Sequence, residues 1–138
     1  MQRSEIIEFA KNNPICFLST SADNEPFVRG LMLYKADEDG LIFSTFKQKD
    51  LYKQLQKNNR VEVCFYNANQ GKQLRIHGSI KFVDDDDEKK EIIKKFRFLR
   101  AQVAKVGLDS FVVLRLAKGM ATTWTLATAF DEKIYFDF

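Results

Sequence analysis

The sequence predicts a mainly β fold, a closed or nearly closed antiparallel barrel with helices packed on its outside or across its ends. Three observations carry this expectation. Short runs alternating apolar and polar residues recur along the chain. Turns rich in Asp, Asn and Gly join them, and no regular βαβ alternation appears, which argues against a Rossmann fold. With 138 residues, 45 % of them apolar and thirteen of them Phe, the chain has material for a single domain over residues 1–138 that folds without staples.

The elements follow in order. Ser4 to Asn12 places Ile6, Ile7, Phe9 and Ala10 on a helical stripe, and Asn12-Asn13-Pro14 ends it. Ile15 to Thr20 is a short apolar strand, and Ser21 to Glu25 has turn chemistry. Pro26 to Tyr34 alternates, with Phe27, Arg29, Leu31 and Leu33 on one face. Asp37-Glu38-Asp39-Gly40 signals a hairpin into the strand Leu41 to Phe46. From Lys49 to Asn58 the period becomes helical through Leu51, Tyr52 and Leu55. Val61, Val63 and Phe65 then alternate, and after the turn Asn67 to Gly71 so do Leu74, Ile76, Ile80 and Phe82. Gly78 within this run marks a bulge, a bend or a close approach. Ile92, Phe96, Leu99, Val103 and Val106 predict one long helix from Asp85 to Lys105, capped by Gly107. Phe111 to Leu116, Ala121 to Ala127 and Lys133 to Phe138 complete the strands.

Composition excludes several classes. No apolar stretch approaches the roughly 18 residues of a membrane span, and Met1 to Asn13 is too short and polar to be a secretory core. Cys16 and Cys64 are far apart and sit in apolar runs, so buried free thiols in a reducing cytoplasm are expected. The net charge of +3 suits an anionic small ligand rather than a nucleic acid. His77 is the only histidine, which excludes a multi-histidine metal site; no metal ligands and no catalytic triad are identified. The acidic run Asp84 to Glu88 suits a helix N-terminus, and the basic helix behind it suits a solvated face.

One constellation carries candidate chemistry. In FSTFKQKDLYKQL, Phe43 to Leu55, a strand ends in Ser44 and Thr45, and Lys47 and Lys49 follow before a helix begins near Asp50. A helix start offers unpaired N–H groups and a positive dipole end, so hydroxyls and ammonium groups beside it form a phosphate cradle; solvated lysines at a helix edge are the other reading. Charge-assisted hydrogen bonds are worth about 1.5–3 kcal/mol each, so three or four supply much of a micromolar affinity, about −8 kcal/mol. Arg29 shares its strand face with Phe27, Leu31 and Leu33 and therefore needs a partner, either a phosphate or a carboxylate from a neighbouring strand.

Three blocks, FVRGLMLY (Phe27 to Tyr34), LIFSTFKQKDLYKQLQKNNRVEVCF (Leu41 to Phe65) and KQLRIHGSIKFVDD (Lys72 to Asp85), resemble in order and spacing the pyridoxamine 5′-phosphate oxidase-like, FMN-binding split-barrel proteins. The resemblance implies an antiparallel Greek-key split β-barrel of the FMN-binding type. It implies that Arg29, Ser44, Thr45 and Lys49 hold the FMN phosphate, with Lys47 as an extra ligand. It also implies that Gln73 faces the flavin's polar edge, that Trp124 packs on the ring, and that the flavin lies at a homodimer interface. Asn58-Asn59-Arg60 stands where the family commonly has Asn-Pro-Arg, and the chain ends DEKIYFDF without the oxidases' tryptophan-and-arginine segment, so vitamin B6 oxidation is not expected. Two functions fit. One is an oxidoreductase passing electrons from a reduced nicotinamide through FMN to a small acceptor. The other is a module that stores or senses FMN or a related anionic ring ligand, such as haem or a deazaflavin.

Overall fold

A computed structural model describes residues 1–138. Helix α1 (Arg3–Asn12) leads into strands β1 (Ile15–Ala22), β2 (Glu25–Met32), β3 (Lys35–Asp37) and β4 (Gly40–Phe46). Helix α2 (Asp50–Lys57) precedes β5 (Arg60–Asn67), β6 (Lys72–Ser79) and β7 (Lys81–Val83). Helices α3 (Asp86–Lys95) and α4 (Leu99–Val106) lead to β8 (Phe111–Leu116), β9 (Gly119–Trp124) and β10 (Phe136–Asp137). All strand pairs are antiparallel, in a six-stranded sheet ordered β10-β9-β6-β5-β1-β2 and a four-stranded sheet ordered β3-β4-β8-β7.

The expected antiparallel barrel with helices is thus present, as two sheets closing on one core. Leu18, Val63, Phe65 and Ile76 of the larger sheet meet Phe43 and Leu114 of the smaller one. Period-2 alternation selects these residues, because each strand turns every second side chain inward. The register fixes the other face too: Ile15, Phe17, Cys64, Tyr66, Gln73 and Trp124 share the outer side of the six-stranded sheet.

Two turns show how local chemistry sets the register. Asp23 and Asn24 both adopt positive φ, 52° and 65°, and join β1 to β2 as the tight hairpin those residue types favour. Gly78 lies where the chain leaves the larger sheet at Ser79 and enters the smaller one at Lys81. A Cβ there would stand 2.6 Å from the Lys118 carbonyl oxygen and 2.7 Å from Leu116 Cδ1, so close backbone approach demands the glycine.

The structure corrects the long helix. Asp85 to Lys105 is two helices, interrupted at Phe96, whose φ of −103° and ψ of 81° are not helical. No Pro or Gly causes the break; packing does. The Phe96 ring meets Tyr34 edge-on at 6.0 Å and stacks on Phe98 at 5.8 Å. The redirected chain then buries Leu99 beside Ile42, Phe46 and Phe111, behind the four-stranded sheet. Asp85 caps α3 by accepting from the Asp87 and Glu88 N–H groups. Gly107, at φ 92°, follows α4 and donates to the Val103 carbonyl as expected. The last strands are shorter than alternation suggests: β9 ends at Trp124, and only Phe136 and Asp137 pair at the C-terminus.

Candidate functional site

The edge strand β2 has no strand partner on its outer side. Between it, the end of β4 and the start of α2 lies a groove of about 540 Å³, within the range of about 300–1,000 Å³ usual for small-ligand sites. Arg29, Ser44, Thr45 and Lys49, predicted from sequence, all line it. They come from three elements brought together by the passage of the chain between the sheets.

Arg29 faces the barrel side of β2, paired in register with the buried Leu18. Its Nη1 donates to the Leu18 carbonyl at 3.3 Å and to Thr20 Oγ1 at 2.9 Å, and its Nη2 donates to Gln54 Oε1. Thr20, itself buried, donates to the same Gln54 oxygen at 2.6 Å. Of the two partners left open by the sequence, neither a carboxylate nor another charge pairs directly with this arginine. Burial pushes the guanidinium below the usual arginine value, while nearby Asp50 acts in the opposite direction. A guanidinium still remains charged at neutral pH. It is therefore a cation fixed in orientation by neutral groups, with its charge uncompensated by contact.

Ser44 and Thr45 project from opposite faces of β4. Thr45 pairs with Val112 on the barrel side, and Ser44 with Val113 on the α3–α4 side. Lys49 is the N-cap residue of α2 and makes no side-chain cap, so the first N–H groups of that helix face the groove without a side-chain acceptor. Leu51 and Leu55 anchor α2 in the core, which holds its N-terminal end against the groove. An anion entering here meets a guanidinium, an ammonium, hydroxyls and a helix start together.

The other sequence-predicted residues lie elsewhere. Lys47 lines a separate hollow with Tyr52, Phe82 and the buried Lys89. Gln73 and Trp124 are register partners on the outer face of the larger sheet. His77 is on that face too, 5.9 Å from the Tyr135 ring. Cys16 is buried, and desolvation raises its thiol to about 12; Cys64, raised also by burial, points to the other face of its sheet. Sequence reasoning missed Gln54 and Thr20, which orient Arg29. Gln54 follows Leu51 by three positions and borders the buried stripe of α2, a signal that it turns toward the barrel. Gln102 also lines the groove, because the break at Phe96 redirects α4.

A two-sheet antiparallel barrel split along β2, with a cationic groove in the opening, defines a split-barrel protein. Residues 3–124 match the family model for pyridoxamine 5′-phosphate oxidase, and the chain belongs to that family. Solved structures share the fold. A NimC/NimA family protein from Clostridium acetobutylicum is 23 % identical, over 99 % of this chain and 92 % of that one, with a TM-score of 0.77. A pyridoxamine 5′-phosphate oxidase-related, FMN-binding protein from Nostoc punctiforme is 16 % identical over 98 % and 92 %, with a TM-score of 0.63. PhzG from Burkholderia lata, in complex with tetrahydrophenazine-1-carboxylic acid, is 14 % identical over 98 % and 89 %, with a TM-score of 0.68. No helix is long and apolar enough to cross a membrane.

Proposed function

We propose that this chain is an FMN-binding oxidoreductase that passes electrons from a reduced nicotinamide to a small acceptor, working as a homodimer. The observation that carries the proposal is the groove, which gathers Arg29, Thr45, Ser44, Lys49 and the open start of α2 on one split edge of the barrel. These groups fit a doubly negative phosphate ester. The guanidinium is oriented but not neutralised by contact, and neither hydroxyl nor ammonium is tied up in an ion pair. Membership of the pyridoxamine 5′-phosphate oxidase family and a fold shared with an FMN-binding protein support the same cofactor.

When bound, the flavin supplies hydride chemistry, and the protein supplies binding, orientation and exclusion. Arg29 and Lys49 neutralise the phosphate and fix its position, while Gln54 and Thr20 hold the guanidinium fork in one orientation. Phe27, Leu31 and Leu99 offer apolar wall to the remainder of the ligand. Gln73 and Trp124 face away from this groove in the same chain, and in a homodimer they would serve the groove of the partner. The exposed apolar residues Ile15, Phe17, Val28 and Met32 on that outer face support a covering subunit.

The test is the visible spectrum of the purified protein, followed by anaerobic addition of NADH and then NADPH. The proposal expects a yellow protein bleached by one of them. A yellow protein reduced by neither would instead identify a storage or sensing module. A colourless protein that FMN cannot reconstitute would refute flavin binding. Light scattering checks the homodimer, and a strict monomer that binds FMN tightly would refute that part.

A further inference from the structure

The outer side of the six-stranded sheet carries two apolar patches, one at each end. At the β2–β1–β5 end are Val28, Ile15, Phe17, Met32 and Tyr66, with Val28 69 % and Ile15 64 % exposed. At the β9–β10 end the segment joining those strands, residues 125–135, presents Leu126, Phe130, Ile134 and Tyr135; Leu126 is 81 % exposed and Phe130 fully exposed. This segment crosses the same outer face. The outward Thr122 donates to the Ile134 carbonyl at 2.8 Å, and Tyr135 rests against the outward His77. A short turn around Thr125 and Thr128 stiffens it, yet none of its large apolar side chains is buried.

A third feature lies on β2. Gly30 sits on the outer face between Val28 and Met32, opposite Phe17. A Cβ there would meet only the Phe17 ring at 3.8 Å, an ordinary contact, and its φ is not positive. The fold of one chain does not require this glycine. A strand glycine without an internal reason fits close approach by another molecule.

We propose that residues 125–135 of one copy seat on the Val28–Gly30–Met32 stripe of a second copy, with Phe130 at the Gly30 dent. There they form the outer wall of the partner's groove. Symmetry selects this arrangement. A two-fold axis running along the strands exchanges the two ends of the sheet, so each patch covers the other and both are buried. An axis across the strands stacks the β2 end on itself and leaves Leu126 and Phe130 in water. Since Phe27, Val28, Gly30 and Leu31 line the groove, a segment seated on β2 reaches its mouth.

This wall also sets the class of acceptor, a step that rests on the flavin reading above. Apolar Leu126 and Phe130, with Asp131 and Glu132 outweighing Lys133 in charge, favour a neutral flat ring acceptor over an anionic one at this wall. With a quinone acceptor the nicotinamide loses a hydride, and the quinone gains that hydride and one solvent proton to become a hydroquinone.

The test compares dimer dissociation constants by analytical ultracentrifugation for wild type, Val28→Asp, Gly30→Val and Phe130→Asp, with circular dichroism confirming the monomer fold. All three variants are expected to weaken the dimer at least tenfold. Phe130 is fully exposed in the monomer, so Phe130→Asp leaves the isolated fold intact. If Val28→Asp dissociates the dimer and Phe130→Asp does not, the seating is overturned while the homodimer and the flavin survive. If wild type is itself monomeric, the homodimer and the seating both fall. Steady-state assays with 1,4-naphthoquinone and 1,4-naphthoquinone-2-sulfonate are expected to give a KM at least tenfold higher for the sulfonate at low salt. That gap should narrow in Asp131→Asn/Glu132→Gln, and equal KM values in wild type would overturn the acceptor class.

Discussion

Replacing Arg29 with alanine isolates the charge at the centre of the groove. Arg29 contributes little that the fold cannot keep: Thr20 and Gln54 remain hydrogen-bonded to each other at 2.6 Å after its removal, so the buried threonine stays satisfied. The expected loss of stability is about 1 kcal/mol, the worth of ordinary hydrogen bonds. The effect on ligand is larger. Two hydrogen bonds from a guanidinium to a phosphate ester, each worth about 1.5–3 kcal/mol and discounted for the open side of the groove, amount to about 3–4 kcal/mol, or roughly a 200- to 1,000-fold rise in Kd for FMN. Riboflavin, which has the same ring and no phosphate, should change by less than about threefold, since Arg29 serves the phosphate end of the site. The assay is quenching of flavin fluorescence on titration with apoprotein, run with both ligands on wild type and variant. If FMN and riboflavin weaken together, Arg29 supports the ring or the fold rather than the phosphate. If neither changes, the cradle is misassigned.

Gln54→Glu places a carboxylate directly against the Arg29 guanidinium and beside the anion site, so FMN affinity should fall about tenfold or more, and further than in Gln54→Ala. Gly78→Ala forces a Cβ to 2.6 Å from a backbone carbonyl, and urea denaturation should show a loss of roughly 2–4 kcal/mol. Burial lifts the Cys16 thiol from 9.0 to about 12, so the folded chain holds that proton more tightly than the unfolded one. The resulting stability is complete below pH about 9 and declines as pH rises toward 12, by about 2 kcal/mol at pH 10.5. Urea denaturation at pH 8 and pH 10.5 should show a flatter pH dependence for Cys16→Ala than for wild type.

Much of this architecture is readable from alternation and turn chemistry. The faces of β5 and β6 follow from period-2 patterning in Val61, Val63, Phe65, Leu74 and Ile76, because a half-buried strand leaves no freedom in which face is apolar. That Ser44, Thr45 and Lys49 line one groove is readable as well, since they are local to one strand–helix junction. What escapes the sequence is long-range. Phe96 breaks a strong helical stripe because Tyr34, sixty-two positions earlier, offers its ring a better seat than the next helical turn. Gln54 orients Arg29 from a different element, and no spacing rule links the two. Gln73 and Trp124 enter only through the family resemblance, and it is the sheet register that pairs them on the outer face, away from the groove in their own chain.

The most direct measurement is a crystal structure of the FMN-reconstituted protein. The ester phosphate should lie at the start of α2, within hydrogen-bond distance of the Arg29 guanidinium, the Thr45 hydroxyl and the Lys49 ammonium. A phosphate seated in another basic hollow, such as the one lined by Arg60, Lys81 and Lys118, would contradict the assignment.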